Sequence, residues 1–178
     1  MEKAKQISLC AILLALALAL SYAERFIPLQ MFVPLPGIKL GLANTVILLC
    51  LAVFKTRYAF LILIPRCFLG AVFGGGITGL LFSLCGGLLS LAVMAAVGKT
   101  GKLSVYGISV IGAAAHNVGQ ILVAMVLMDS LYVGGYLPWL LLTAVVTGLL
   151  TGSLCAGILR VFPKAVASVP AQMKKGDA

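Results

Sequence analysis

The chain alternates between long apolar runs and short polar breaks. Six runs are of transmembrane length or close to it: Ile7–Ala23, Ile38–Phe54, Tyr58–Phe73, Ile77–Val97, Ile108–Met128 and Pro138–Phe162. A helix that crosses a bilayer needs about 20 mostly apolar residues, with a range of about 17–25. The third run is the shortest. The pattern predicts an all-α, polytopic integral membrane protein, a six-transmembrane-helix bundle over residues 1–163 with a basic tail at 164–178. Two groups of three spans would permit an inverted pair, but no residue match joins the halves. The breaks are short except for Glu24–Gly37, which carries Pro28, Pro34 and Pro36 together with Phe26, Leu29, Met31 and Phe32. Such a loop is too apolar for a plain solvated linker and is expected to fold back over the bundle.

The basic residues orient the spans. Lys3 and Lys5, then Lys55 and Arg57, then Lys99 and Lys102, then Arg160, Lys164, Lys174 and Lys175 fall in alternate breaks. Only Arg25 and Lys39 lie on the opposite side, and Arg66 lies inside a run. Because positive charge collects on the cytoplasmic face, both termini are expected there, in the cell membrane. One competing outline is a signal peptide, with Glu2–Lys5, an apolar run and the small-x-small sequence Ser21-Tyr22-Ala23. The run is long for that purpose, so a retained first span is the preferred reading.

Composition agrees with the pattern. Hydrophobic residues make up 62% of the 178, charged residues only 10%, and mean hydropathy is +1.19. That is too little charge to cover a soluble domain. A net charge of +9 would suit nucleic acid, but its distribution among the breaks is that of a membrane protein. The five cysteines, Cys10, Cys50, Cys67, Cys85 and Cys155, all lie in apolar runs and form no C-x-x-C pair. They read as small buried hydrophobes.

The polar residues inside the runs carry the candidate chemistry. Arg66 is the one formally charged residue well inside a run. A guanidinium near the bilayer centre costs at least ~2.5 kcal/mol on insertion scales, so it marks a functional site unless it snorkels or caps a loop carbonyl beside Pro65. His116 and Gln120 are four residues apart and share a helix face, with Asn117 one step around. In hydrocarbon an imidazole and two amides must find partners, either in neighbouring helices or in a ligand. Lys39, Asn44 and Thr45 are polar at the opening of the second run. A lysine at a helix start opposes the helix dipole, so a lipid phosphate, Glu24 or an anionic ligand is expected to hold it.

Small residues form three further patterns. Ala11, Ala15 and Ala19 line one face of the first span. Such a face admits close helix approach, either within the bundle or from a partner membrane protein. Gly148 and Gly152 follow the same logic in the last span. The stretch Gly74-Gly75-Gly76-Ile77-Thr78-Gly79 matches G-x-G-x-x-G literally. It lacks the βαβ context of a dinucleotide site and is expected to be a tight turn, with Gly70, Gly74 or Gly75, and Gly79 packing helices closely.

Several chemistries are excluded by what the chain lacks. Its acids are Glu2, Glu24, Asp129 and Asp177. None pair within a run, so magnesium–diphosphate catalysis has no carboxylate cluster to rest on. A single histidine rules out a multi-histidine metal site. No catalytic residue, metal or cofactor is therefore expected.

Two segments, Pro36-Gly-Ile-Lys-Leu-Gly-Leu-Ala-Asn44 and Gly112-Ala-Ala-Ala-His-Asn-Val-Gly-Gln120, resemble the signatures of the Gx transporter family, also labelled heptaprenyl diphosphate synthase component I. That family in turn resembles the S-components of energy-coupling-factor (ECF) vitamin transporters. The resemblance implies six helices, cytoplasmic termini, an outward pocket under the loop after the first helix, and docking of an alanine-rich face onto a transmembrane coupling subunit with two ATPases. The synthase label implies instead an accessory subunit of isoprenoid chain elongation.

Together these readings give a transporter component for a small, anionic solute or cofactor precursor. Arg66 and Lys39 are its expected anion contacts. Asn44, His116, Asn117 and Gln120 are its hydrogen-bonding groups, Phe26 and Phe32 its lid contacts, and Ala11, Ala15 and Ala19 its partner-docking face. A structural membrane subunit without a solute site is a further alternative.

Overall fold

A computed structural model describes residues 2–26, 39–54 and 56–161. Six α-helices overlap the six apolar runs: α1 (Glu2–Ala23), α2 (Asn44–Val53), α3 (Thr56–Gly70), α4 (Gly76–Thr100), α5 (Val105–Leu127) and α6 (Leu137–Val161). There is no strand among the described residues. Three stretches, Thr56–Thr100 (α3 and α4 with the turn between them), Val105–Leu127 and Leu131–Val161, are long and apolar enough to cross a membrane, whereas Ile7–Ala23 and Asn44–Val53 are shorter. The protein is thus an all-helical membrane bundle.

The breaks follow local chemistry. Gly101 closes α4 in the left-handed region at φ 63°, where glycine pays no Cβ penalty. Ser104 caps α5, its hydroxyl accepting from the Gly107 N–H at 3.3 Å. The α3–α4 junction is a π-type turn over Ala71–Gly75, with Gly74 at φ 103° and Gly76 at φ 61°. The glycine run is therefore a turn, as expected.

The expected packing role of Gly70 and Gly79 is not realised. A Cβ on Gly70 would meet nothing within 4 Å, and one on Gly79 would make only ordinary contact with Lys39 Nζ at 3.8 Å. Close packing falls elsewhere. A Cβ on Gly119 would lie 2.8 Å from the Cys85 carbonyl oxygen, and one on Gly148 2.5 Å from Val110 Cα. Gly152 adds a second close approach, to Tyr106 and Ser109 at 3.2 Å. These positions let α4, α5 and α6 pack backbone to backbone, the usual solution where lipid removes the hydrophobic drive between helices. Hydrogen bonds stitch the same helices. Ser90 Oγ donates to the Gly112 carbonyl at 2.8 Å, and the Ser109 and Thr151 hydroxyls meet at 2.7 Å.

α2 is the hub. It touches all five other helices, and Asn44 to Cys50 are buried without a break. A helix apolar on every side belongs in the core of a bundle. The second apolar run was expected to be helical from Ile38, but the helix begins only at Asn44. Gly41, at φ 82°, turns the chain, and residues 39–40 lie outside any helix, with the Lys39 backbone bonded to the Gln120 side chain rather than to a helical turn.

Candidate functional site

That non-helical segment lies at the centre of a buried polar network. Gln120 on α5 holds Lys39 by its main chain. With the amide oriented to suit its neighbours, its nitrogen donates to the Lys39 carbonyl at 3.1 Å and its oxygen accepts from the Lys39 N–H at 3.0 Å. The same oxygen accepts from His116 Nε2 at 3.2 Å. Gln120 thus treats residue 39 as a neighbouring strand would. His116 and Gln120 are both fully buried, and their four-residue spacing is what aligns them.

The His116 ring sits in a slot made by two glycines. A Cβ on Gly86 would lie 2.9 Å from Nδ1, and one on Gly41 3.2 Å from Cδ2. Nδ1 has no hydrogen-bond partner in this slot.

Glu24 and Lys39 tie the segment on its other sides. The Gly41 N–H donates to Glu24 Oε1 at 2.5 Å, and Lys39 Nζ donates to Ser83 Oγ on α4 at 2.8 Å. Glu24 is 3% exposed. Burial pushes its carboxyl up from the ordinary value, while the Gly41 N–H and the Arg66 and Lys39 charges pull it back. Arg66 is 2% exposed. Its Nε donates to Ser21 Oγ near the end of α1 at 3.1 Å, and its NH1 has no partner. Pro65 precedes it inside α3. The proline ring cannot close a bond to the Leu61 carbonyl, which loosens the helix at this point.

The structure brings Lys39, Asn44, Arg66, His116 and Gln120 into one buried region with Glu24. Asn44 is buried, and neither its amide nitrogen nor its amide oxygen is bonded; the Thr45 hydroxyl is likewise unpartnered. Buried polar atoms of this kind are rare, and each calls for water, an ion or a ligand.

Other candidates lie elsewhere. Asn117 Nδ2 donates to the Leu140 carbonyl at 2.6 Å, so it joins α5 to α6 and does not face the Lys39 segment. Phe26 is 76% exposed and stacks edge-on against Tyr22. Phe32 lies outside the described residues. Ala11, Ala15 and Ala19 are exposed along α1, while Leu13 and Ala17 face inward. The alanine stripe is therefore not spent on packing among the described helices.

Sequence reasoning missed Ser21, Ser83, Gly41 and Gly86. Ser83 left one signal, a hydroxyl in an otherwise apolar run. Gly86 left none, since its role is to make room for a ring on another helix.

No curated protein and no solved structure matches this chain. A family model does, over residues 13–158. The matched region holds every member of the Lys39–Gln120–Glu24–Arg66 network. By that match the chain belongs to the family described as heptaprenyl diphosphate synthase component I, the Gx transporter family.

Proposed function

We propose that this protein is a membrane transporter component that binds a small anionic solute at Arg66 and delivers it inward with an energy-coupling partner. One observation carries the reading. Among the described residues one carboxylate, Glu24, is buried within the electrostatic reach of two cations, Arg66 and Lys39, and Arg66 NH1 is buried without a partner. The remaining acids, Glu2, Asp129 and Asp177, lie outside the apolar runs. A desolvated guanidinium with spare donors favours an anion. Lys39 and the unbonded Asn44 amide supply further contacts, and His116 and Gln120 position the Lys39 segment. The exposed alanines of α1 suit a close-packed partner helix.

The test is ligand retention, or uptake in cells, at matched expression. Arg66→Met keeps length and removes the charge and every donor. It is expected to insert and fold normally and to lose binding by about tenfold or more, the worth of a charge-assisted hydrogen bond. Ala15→Leu is expected to leave binding intact and to reduce uptake. Unchanged retention in Arg66→Met would remove the anion role.

The family description supports a second reading, a membrane accessory of prenyl diphosphate synthesis. In that reading the chain is non-catalytic, because four scattered acids supply no magnesium site.

Six spans with both termini cytoplasmic complete the proposal, supported by the alternation of basic breaks. Cysteines placed at Lys99 and Tyr132 are expected to label from opposite faces of the membrane. Labelling from one face would refute this topology.

A further inference from the structure

Arg66 and Glu24 converge on the end of α1. Arg66 Nε donates to the Ser21 hydroxyl in the last turn of that helix, and Glu24 follows directly in the short turn Glu24–Phe26. Both side chains are buried. The guanidinium is near enough to favour the ionised Glu24 carboxylate. Yet Arg66 NH1 and Glu24 Oε2 each lack a hydrogen-bond partner, so the two opposite charges do not close on each other. Each is tethered by another atom instead, Arg66 by Nε on Ser21 and Glu24 by Oε1 on the Gly41 N–H. We propose that the solute bridging them is a zwitterion, a small amino acid whose carboxylate accepts from Arg66 and whose ammonium donates to Glu24 Oε2. The proposal rests on the reading of Arg66 as an anion contact and adds a cationic group to the solute.

Charge and hydrogen bonding together separate the ligand classes. A plain anion would satisfy NH1 but lie beside a buried carboxylate, and like charges repel strongly where water is excluded. A plain amine would satisfy Oε2 but meet the Arg66 and Lys39 charges. A neutral alcohol or a water can bridge the pair, but leaves both buried ions without a counter-charge. A zwitterion gives each ion a bond in which both partners are charged, the stronger kind.

Asn44 is an independent sign of the same demand. Its amide stands at the Gly41 turn that Glu24 holds, where a Cβ on Gly41 would lie 2.9 Å from Asn44 Nδ2. The residue is 6% exposed, and neither Nδ2 nor Oδ1 is bonded. A spare donor beside a spare acceptor suits a ligand that offers both, as an ammonium and a carboxylate on one small molecule do.

The experiment uses the full chain in nanodiscs and reads binding by calorimetric titration. The probes are the standard amino acids with β-alanine and γ-aminobutyrate, which vary the distance between the two charges. Each probe that binds is compared with its N-acetyl form, which lacks the ammonium, and with its amide, which lacks the carboxylate. At least one amino acid is expected to bind saturably, and both derivatives about tenfold or more weaker. Glu24→Gln keeps an oxygen for the Gly41 N–H and removes the charge. It is expected to weaken the amino acid by about tenfold or more, and to strengthen the N-acetyl form because a like charge has gone. Arg66→Met is expected to weaken both. Unchanged thermal unfolding of the empty protein shows that Glu24→Gln folds, and if it does not, the comparison of derivatives on the unaltered chain decides the question.

The other outcomes each overturn something specific. If no amino acid binds, the zwitterion is wrong. Arg66-dependent binding of inorganic phosphate or of the N-acetyl forms would then leave the anion reading standing, and its absence would remove that reading too. If Glu24→Gln strengthens an amino acid and its N-acetyl form alike, Glu24 is a plain counter-charge and the proposal fails.

Discussion

Gly148→Ala is expected to destabilise the bundle by about 1–3 kcal/mol, the ordinary cost of overpacking a filled interface. The added methyl would sit 2.5 Å from Val110 Cα and 3.0 Å from the Val110 nitrogen. Both are backbone atoms, so no rotamer change relieves the clash, and α5 and α6 must separate. Gly157, further along α6, is the internal control. A Cβ there meets nothing within 4 Å, and Gly157→Ala is expected to be neutral or slightly stabilising, by up to about 1 kcal/mol. Unfolding of the purified protein in a detergent series would read both. Equal effects from the two substitutions would show that α5 and α6 are not packed backbone to backbone.

Gln120→Leu is expected to have a comparable effect by a different route. The amide serves the Lys39 N–H, the Lys39 carbonyl and His116 Nε2. Leucine fills similar space and leaves all three without a partner. Each buried orphan costs about 1–3 kcal/mol unless water reaches it. Residues 39–40 have no helical bonds to fall back on, whereas the Gly41, Leu42 and Ala43 carbonyls already accept from the first N–H groups of α2, so the leading residues 39–40 are expected to detach. Hydrogen–deuterium exchange should rise there while α4 and α5 stay protected. Gln120→Glu can still accept from the Lys39 N–H and from His116, so its loss should be smaller. Unchanged exchange in Gln120→Leu would mean that Glu24 and Ser83 alone hold the segment.

Much of the architecture was legible because the hydrophobic period and the breaks are strong signals. The apolar runs located all six helices, and the glycine cluster located the α3–α4 turn. The start of α2 was not legible. Ile38 to Ala43 is apolar enough to continue a helix, and it is long-range bonds, from Lys39 to Gln120 and Ser83 and from Gly41 to Glu24, that hold residues 39–41 out of one. The site was partly legible. Arg66, His116 and Gln120 announced themselves as polar residues in hydrocarbon, and their burial follows from that. Their partners were harder to find. Ser21 lies 45 residues from Arg66 and Ser83 lies 44 from Lys39, and no local pattern reports such pairings. Asn117 shows the limit of reasoning by polarity alone, because its amide is spent on the Leu140 carbonyl. The glycines show a related limit. Small residues at helical spacing mark possible close approach, but Gly70 borders open space while Gly119 is pressed against α4.

The shortness of α2 bears on how the protein reaches the membrane. Ten residues rise about 15 Å, half of a hydrocarbon core about 30 Å thick. Released into the bilayer alone, this segment would leave its unpaired leading backbone in lipid, which hydrocarbon does not tolerate. Its stable place exists only once neighbouring helices have enclosed it and Gln120 has met residue 39. During synthesis α2 emerges well before α5, which carries Gln120. The nascent chain must therefore keep α2 at the insertion machinery or the membrane surface until α5 arrives. Integration of the central helix is thus a late, cooperative event, and a ribosome stalled before α5 would hold a protein whose core has not yet entered the bilayer.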